Sequence, residues 1–194
     1  MILPIVTYDS PVLQEECTDV PKDYHGLHDL IADMCETMYA AAGCGLAASQ
    51  VNKSVRLFII DSEGTYNTLD EEDQQSLFDG DIGIKTAFIN AEILATSSEM
   101  LWMDTEGCLS LPGLSASIAR PWSITIRYDD HNFRKQVQTF SGLTARMIQH
   151  EYDHTMGILY MDRLEPSAKK IFLRKANRKR KEGWKAPYLL EGGQ

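Results

Sequence analysis

The spacing of apolar residues predicts three helices. From about Tyr24 to Ala41, apolar residues recur three and four positions apart, which describes an amphipathic helix. The same spacing predicts a second helix from about Gly142 to Met156, with Ser141 as a plausible N-cap and Gly157 as its stop. A third helix is expected to begin near Pro166, because proline suits the first helical turn.

Short apolar or alternating runs predict strands between these helices. There are four of them: Val55–Ile60, Thr86–Asn90, Ser123–Tyr128 and Val137–Phe140. Because the strands lie in the middle and the helices towards both ends, the order indicates an α+β fold rather than a regular βαβ alternation. We find no repeat or linker. We therefore predict one domain, residues 1–194, with small mixed or antiparallel strands around the central helix, an N-terminal helix and a C-terminal helix.

Residues 61–85 interrupt this pattern with an acidic stretch. They hold eight acidic residues against a single lysine, Lys85. We interpret the stretch as a solvated loop insertion, with one short helix after Asn67 at most, since surface loops tolerate added length. A partner-binding role is the alternative.

Composition and charge exclude several classes of protein. The chain has 194 residues, 43% of them apolar, and a net charge of −9, which argues against general nucleic-acid binding. We see no signal peptide and no apolar run long enough to span a membrane, so a cytoplasmic protein without membrane contact is expected. The four cysteines are widely spaced, which predicts free or metal-bound thiols.

The second predicted helix carries a metal-binding pattern. His150 and His154 lie four residues apart, so both imidazoles can reach one cation from the same helix face. Glu151 projects from the same side and can approach a water molecule without being a ligand. Met147 and Leu143 continue the stripe, which places the expected metal on the buried face. The alternative is two structural histidines, with Glu151 satisfied by an arginine.

A catalytic site of this type needs a third protein ligand and an open position for water. No histidine follows His154, so the candidates are a downstream carboxylate or a cysteine. Two cysteines lie in glycine-flanked segments, Cys44 and Cys108. Spacing alone does not choose between them, and a lone cysteine is more often a small buried apolar residue.

Three segments together resemble the peptide deformylase family. Residues 43–50 (GCGLAASQ) are similar to its first motif, residues 106–110 (EGCLS) match its second, and residues 149–154 (QHEYDH) match its third. They occur in the family's order. Residues 3–6 and 11–13 also look like family sequence, so the resemblance spans nearly the whole chain.

The resemblance implies a metal-dependent hydrolase that removes the N-formyl group from N-formylmethionyl nascent polypeptides. The implied ligands of one divalent ion are Cys108, His150 and His154. Ferrous iron is the ion that the family suggests in cells, and zinc or another divalent ion also suits the set. A metal-bound water would attack the formyl carbonyl while Glu151 acts as general base and then as general acid.

The resemblance also implies how the substrate is held. Gln50 and the backbone N–H of Leu109 would stabilise the oxyanion, and Gly45 would make a main-chain contact. Cys44 and Met147 would line the pocket, although Met147 and Leu109 also suit the core. Cys44 stands where the family usually has isoleucine or valine, so the pocket shape is in question.

Glu106 has two possible roles in the second motif. It could orient a ligand histidine through the ring N–H that faces away from the metal. The alternative is an exposed carboxylate at a strand edge.

The last predicted helix, 166–184, is basic. It holds eight of the 19 lysines and arginines. Leu164, Ala168, Ile171 and Phe172 form a short apolar stripe that could dock its first turns, and the basic end is expected to project into solvent. A solubilising helix and a weak contact with the phosphate-rich ribosome surface are both compatible with this pattern.

Two other functions compete with deformylation. A zinc metallopeptidase also uses two histidines with a glutamate base, but it has no need of the 106–110 motif. A metal-binding scaffold without activity has no need of Glu151 or Gln50.

Overall fold

The computed structural model describes residues 1–97, 101–182 and 186–191. These residues contain five α-helices and seven strands, which confirms the α+β prediction. The helices are α1 (Leu27–Ala40), α2 (Ser62–Tyr66), α3 (Glu71–Phe78), α4 (Gly142–Thr155) and α5 (Pro166–Lys181). The strands are β1 (Gly45–Ala47), β2 (Leu57–Asp61), β3 (Lys85–Thr96), β4 (Leu101–Gly107), β5 (Ser115–Pro121), β6 (Ser123–Asp129) and β7 (Lys135–Ser141).

The strands form two antiparallel sheets. The larger has the order β1-β2-β3-β6-β7, and the smaller consists of β4 and β5. In the larger sheet β1 is an edge strand that pairs with β2, with Gly45 opposite Ile60. The register of β3 against β6 shifts between Ile89 and Glu92. At that irregularity Asn90 has a left-handed backbone. Its side-chain amide accepts a hydrogen bond from the Val20 N–H and donates one to the Val20 carbonyl.

The burial of strand β2 explains why the continuous apolar run at residues 55–60 forms a strand. Leu57 and Ile59 pack into a cluster with α1, whereas Phe58 packs into a second cluster with α4. Both faces of the strand are therefore covered, so neither face can be polar. The larger sheet lies between these two clusters, and α4 is buried along most of its length.

Helix α4 begins and ends where the sequence predicted. Ser141 occupies the N-cap position but makes no side-chain capping bond, and Gly157 follows the helix with φ +70°. Gly142 has φ +56°, and a Cβ built there would lie 2.1 Å from the carbonyl oxygen of Leu77 in α3. Only glycine fits this position, because α3 packs against the backbone at the start of α4.

Several predicted boundaries were wrong. Helix α1 starts at Leu27, because Gly26 before it has a left-handed backbone. The 61–85 stretch is not a loop with one short helix: it holds both α2 and α3, whose first turns are capped by Asp61 and Asp70. Strands β4 and β5 were missed. The expectation of a single domain stays a prediction.

The C-terminal helix also differs from expectation. Ile171 is 66% exposed and Ala168 is exposed too, so neither belongs to the docking stripe. Phe172 is buried as predicted, together with Ala176. The basic end does not simply project into solvent, since the Lys179 ammonium donates to the Gly113 carbonyl at 2.8 Å. Residues 183–184 of the predicted helix lie outside the described residues. None of the described helices is long and apolar enough to cross a membrane.

Candidate active site

Three potential metal ligands meet at the buried face of α4. His150 and His154 lie one helical turn apart, and Cys108 follows the end of β4. One ligand atom from each lies within 4.8 Å of the others. The Cys108 Sγ is 3.2 Å from the Nε2 of His154, and the two imidazole centroids are 5.2 Å apart. The structure thus brings together the Cys/His/His set that the resemblance implied, with Cys44 outside it.

Glu106 is buried beside this cluster and is not an exposed strand-edge residue. Its side chain is only 6% exposed, and its Oε2 is 3.0 Å from the Nδ1 of His150. The contact fixes which nitrogen of His150 faces the cluster, because the Nδ1 hydrogen is directed at the carboxylate.

Charged side chains surround Glu106 and were missed by sequence reasoning. Arg120, 1% exposed, donates to both carboxylate oxygens of Glu106 at 2.6 and 2.8 Å and to Asp153 at 2.8 Å. Arg146 of α4 also donates to Glu106. Burial alone would raise the pKa of Glu106, but Arg120 and His150 hold it well below its usual range. The network joins β4, β5 and α4 through fully desolvated charges, which are costly to leave unpaired.

Glu151 has the features of a proton-transfer group. It is 6% exposed, and within the described part of the chain its Oε2 is buried without a hydrogen-bond partner. Burial raises its pKa to about 7. The carboxylate lies against Gly45, where a Cβ would come within 2.5 Å of its Oε1. The close approach of the Glu151 side chain therefore favours glycine at position 45, a reason beyond the substrate contact that the resemblance implied for Gly45.

Gln50 is oriented by a backbone contact. Its Oε1 accepts a hydrogen bond from the N–H of Ala47 at 2.8 Å, which settles which way the amide faces. Its Nε2 donates to the Cys108 Sγ at 3.4 Å and to the Ser110 hydroxyl at 3.2 Å. Both amide hydrogens are thus engaged, and a substrate oxygen would have to replace one of these acceptors.

A cleft of about 900 Å³ opens over the cluster. It is lined by the predicted pocket residues Cys44, Gly45, Met147 and Leu109. Met147 is 8% exposed, so it belongs to both the core and the cleft wall, as its sequence position allowed.

Other parts of the wall were not predicted, and two of them come from segments distant in sequence. One is the start of the acidic insertion, through Asp61, Thr65 and Thr68, and the other is the C-terminal segment, through Pro187 and Tyr188. Both reach the cleft by contacts distant in sequence, for which the chain carries no local signal.

The donors present fit a divalent cation. His154 is neutral, because burial and then the positive charge of His150 lower its pKa well below the usual value. Burial also lowers the pKa of His150, but hydrogen bonds to Cys108 and Glu106 outweigh it and raise the value to about 10. His154 can therefore ligate as it stands, and His150 can ligate by exchanging its proton for a cation. A soft thiolate with two imidazoles is a ligand set for zinc or ferrous iron.

Comparison with known proteins gives a consistent result. A model of the polypeptide deformylase family matches residues 2–170. A peptide deformylase of Flavobacterium psychrophilum is 43% identical over 189 residues, or 96% of this chain and 94% of the relative. One of Christiangramia forsetii is 44% identical over 173 residues, or 88% of this chain and 86% of the relative.

The fold agrees with these relatives. The crystal structure of a peptide deformylase from Ehrlichia chaffeensis matches with a TM-score of 0.81 and 31% identity, covering 94% of this chain and 99% of that one. The chain therefore belongs to the peptide deformylase family, whose members remove the N-formyl group from newly made polypeptides.

Proposed function

We propose that this chain hydrolyses the formyl amide of N-formylmethionyl peptides, using a divalent metal ion held by Cys108, His150 and His154. The observation that carries the proposal is the buried, unpartnered carboxylate of Glu151 beside the three-donor cluster in an open cleft. When bound, such an ion polarises a carbonyl and acidifies water.

Glu151 transfers the protons in this scheme. With a pKa raised to about 7 by burial, its carboxylate can take a proton from the attacking water and still release it. It then delivers that proton to the amide nitrogen, so that the leaving group is a neutral amine. One residue thereby serves the addition and the expulsion. The second product is formic acid, which becomes formate by giving its proton to the released amine.

In this scheme the oxyanion is stabilised by donors from two residues that line the cleft. The Nε2 of Gln50 exchanges its bond to the Cys108 sulfur for one to the substrate oxygen, because a 3.4 Å contact to sulfur is the weaker of its two bonds. The backbone N–H of Leu109 is the second donor. Both lie in segments fixed before substrate binds, which is what makes such donors effective.

Glu106 acts through His150. It accepts from the Nδ1 of His150 and is itself held by Arg120 and Arg146. The network keeps the Nε2 lone pair of His150 directed at the metal position, so a ligand need not be reoriented during turnover.

A comparison of two peptides tests the proposed function. Protein loaded anaerobically with ferrous iron should release formate from formyl-Met-Ala and should leave the peptide bonds of Met-Ala-Ser intact. Cleavage of the unformylated tripeptide would favour a metallopeptidase instead. No turnover of either peptide by metal-replete protein would leave only a metal-binding role.

The finer proposals concern the ion and the setting. We propose ferrous iron as the native ion, which metal analysis of anaerobically purified protein would test. We also propose that the reaction takes place in the cytoplasm, where formylated chains are made, and that the basic helix α5 makes a weak contact with the ribosome surface. Residues 166–184 hold eight lysines and arginines although the chain has a net charge of −9, and this local positive charge supports a contact with phosphate groups.

A further inference from the structure

The C-terminal segment, residues 186–191, lies at the cleft, and its Leu190 forms an isolated parallel β-bridge with Ile5. The N–H of Ile5 donates to the Leu189 carbonyl at 3.0 Å, and the N–H of Glu191 donates to the Ile5 carbonyl at 2.9 Å. Leu190 is buried in the same cluster as Ile5. Anchors at three consecutive residues fix the segment in place, although it lies beyond the residues matched by the family model.

Tyr188 is the residue that this segment brings to the site. Its hydroxyl donates to the Leu109 carbonyl at 2.7 Å, and its ring packs with Leu109 against the core. Together with Pro187 it lines the cleft. Burial, and then the charge of Cys108, raise the pKa of Tyr188, so the hydroxyl keeps its proton and remains a donor.

The Tyr188 contact is one of three hydrogen bonds that hold the backbone around Leu109. The carbonyls of residues 108–110 each accept a hydrogen bond: the first from the Leu111 N–H at 2.9 Å, the second from Tyr188, the third from the Tyr8 N–H at 2.9 Å. The first two carbonyls belong to the peptide planes on either side of the Leu109 α-carbon. The Leu109 N–H lies in the plane between residues 108 and 109, which the Leu111 bond holds. Tyr188 holds the next plane, so the two contacts together fix the turn that presents this N–H.

We propose that Tyr188 is a positioning residue for the deformylation reaction. By holding the peptide plane that follows Leu109, it helps to fix the turn that presents the Leu109 N–H to the oxyanion, and its ring forms a wall of the substrate cleft. The proposal rests on the proposed function. Without the hydroxyl, the Leu109 carbonyl loses this hydrogen bond and the plane between residues 109 and 110 is held less tightly, while the metal ligands stay in place.

Substitution separates the two parts of this role. Tyr188→Phe keeps the ring and removes the donor, so kcat on formyl-Met-Ala should fall about five- to tenfold, the loss expected for one hydrogen bond. KM and metal content should stay near the wild-type values. Tyr188→Ala also removes the wall, so KM should rise as well. If Tyr188→Ala fails to fold, the phenylalanine variant still decides the question.

Tyr128→Phe is the matched control. The Tyr128 hydroxyl donates to the Gln138 Oε1 at 2.7 Å between β6 and β7, away from the cleft. Each variant lacks one tyrosine hydrogen bond, so a general loss of stability should appear in both. Only Tyr188→Phe should lower kcat, and only Tyr188→Phe should speed hydrogen–deuterium exchange in the peptide that covers residues 106–112.

Exchange gives a readout that does not depend on turnover. An unchanged kcat with unchanged exchange in Tyr188→Phe would overturn the proposal, as would equal effects in Tyr128→Phe. If the wild-type protein released no formate, the proposed function would fail and the catalytic role of Tyr188 with it. Faster exchange only in Tyr188→Phe would then still show that the residue orders this backbone.

Discussion

At the scale of single residues, the chemistry depends on Glu151. Glu151→Ala should retain metal, because the ligand set excludes it, and should lose about 10²- to 10⁴-fold in kcat/KM, the usual contribution of a general base. Glu151→Gln, which keeps the shape, should behave alike. Formate release and metal content are the measurements. A variant with wild-type metal content and more than a tenth of wild-type kcat/KM would contradict the proton-transfer role.

The choice between two cysteines is also made at this scale. Cys108→Ser should lose or loosen the metal, since a hydroxyl is a poor substitute for a thiolate on a borderline-soft ion. Cys44→Ser should keep the metal stoichiometry. Although Cys44 is an exposed residue, desolvation of its thiol and the carboxylate of Glu151 raise its pKa to about 11, so it remains a neutral thiol. Metal analysis of the two variants side by side distinguishes them, and the reverse result would make Cys44 the ligand.

At the scale of elements, the insertion supports the catalytic helix. A Cβ at Gly142 would meet the Leu77 carbonyl at 2.1 Å, whereas a Cβ at Gly80 would meet nothing within 4 Å. Both glycines have positive φ, so Gly80→Ala should lower the free energy of unfolding only by the cost of a left-handed backbone, about 1–2 kcal/mol. Gly142→Ala should lower the free energy of unfolding clearly more, because α3 must move. Denaturant unfolding of both variants measures the difference. Equal losses of unfolding free energy would show that α3 can move without destabilising the protein.

The same scale shows what sequence patterns could predict. Helix α4 was placed nearly to the residue, because its apolar spacing and the glycine after it are local signals. Strands β4 and β5 were missed because their pattern is inverted: Leu101 and Met103 face solvent, while Glu106 and Arg120 are buried. Polarity normally marks the outer face, so buried ion pairs hide such strands. The charges on these strands find their partners only in the folded protein, where β4, β5 and α4 pack together.

At the scale of the whole molecule, the proposed ribosome contact needs a test that spares the cleft. Truncating the chain before α5 would also remove Tyr188. Reversing exposed charges of α5 instead, Lys170, Arg174 and Lys175 to glutamate, should weaken co-sedimentation with ribosomes at low salt. The slope of log affinity against log salt should fall by about one for each phosphate that is no longer bound. Activity on short peptides should not change, because none of the three residues lines the cleft.

The control is an equal charge reversal elsewhere. Lys53, Arg134 and Lys135 are also exposed, and their conversion to glutamate changes the net charge by the same amount. Equal loss of binding in both triple variants would mean that overall charge, and not α5, governs the association. Unchanged binding in both would leave α5 as a solubilising helix.

The pairing of Ile5 with Leu190 has a consequence for how the molecule matures. The metal ligands, Glu151 and Gln50 all lie at or before residue 154, so all of them are synthesised before α5 and the C-terminal segment. The Leu109 carbonyl meets the Tyr188 hydroxyl only after residues 186–191 have emerged and docked against Ile5. A chain released before residue 186 would therefore lack the Tyr188 contact, and a bulky C-terminal fusion that blocks this docking would have the same effect.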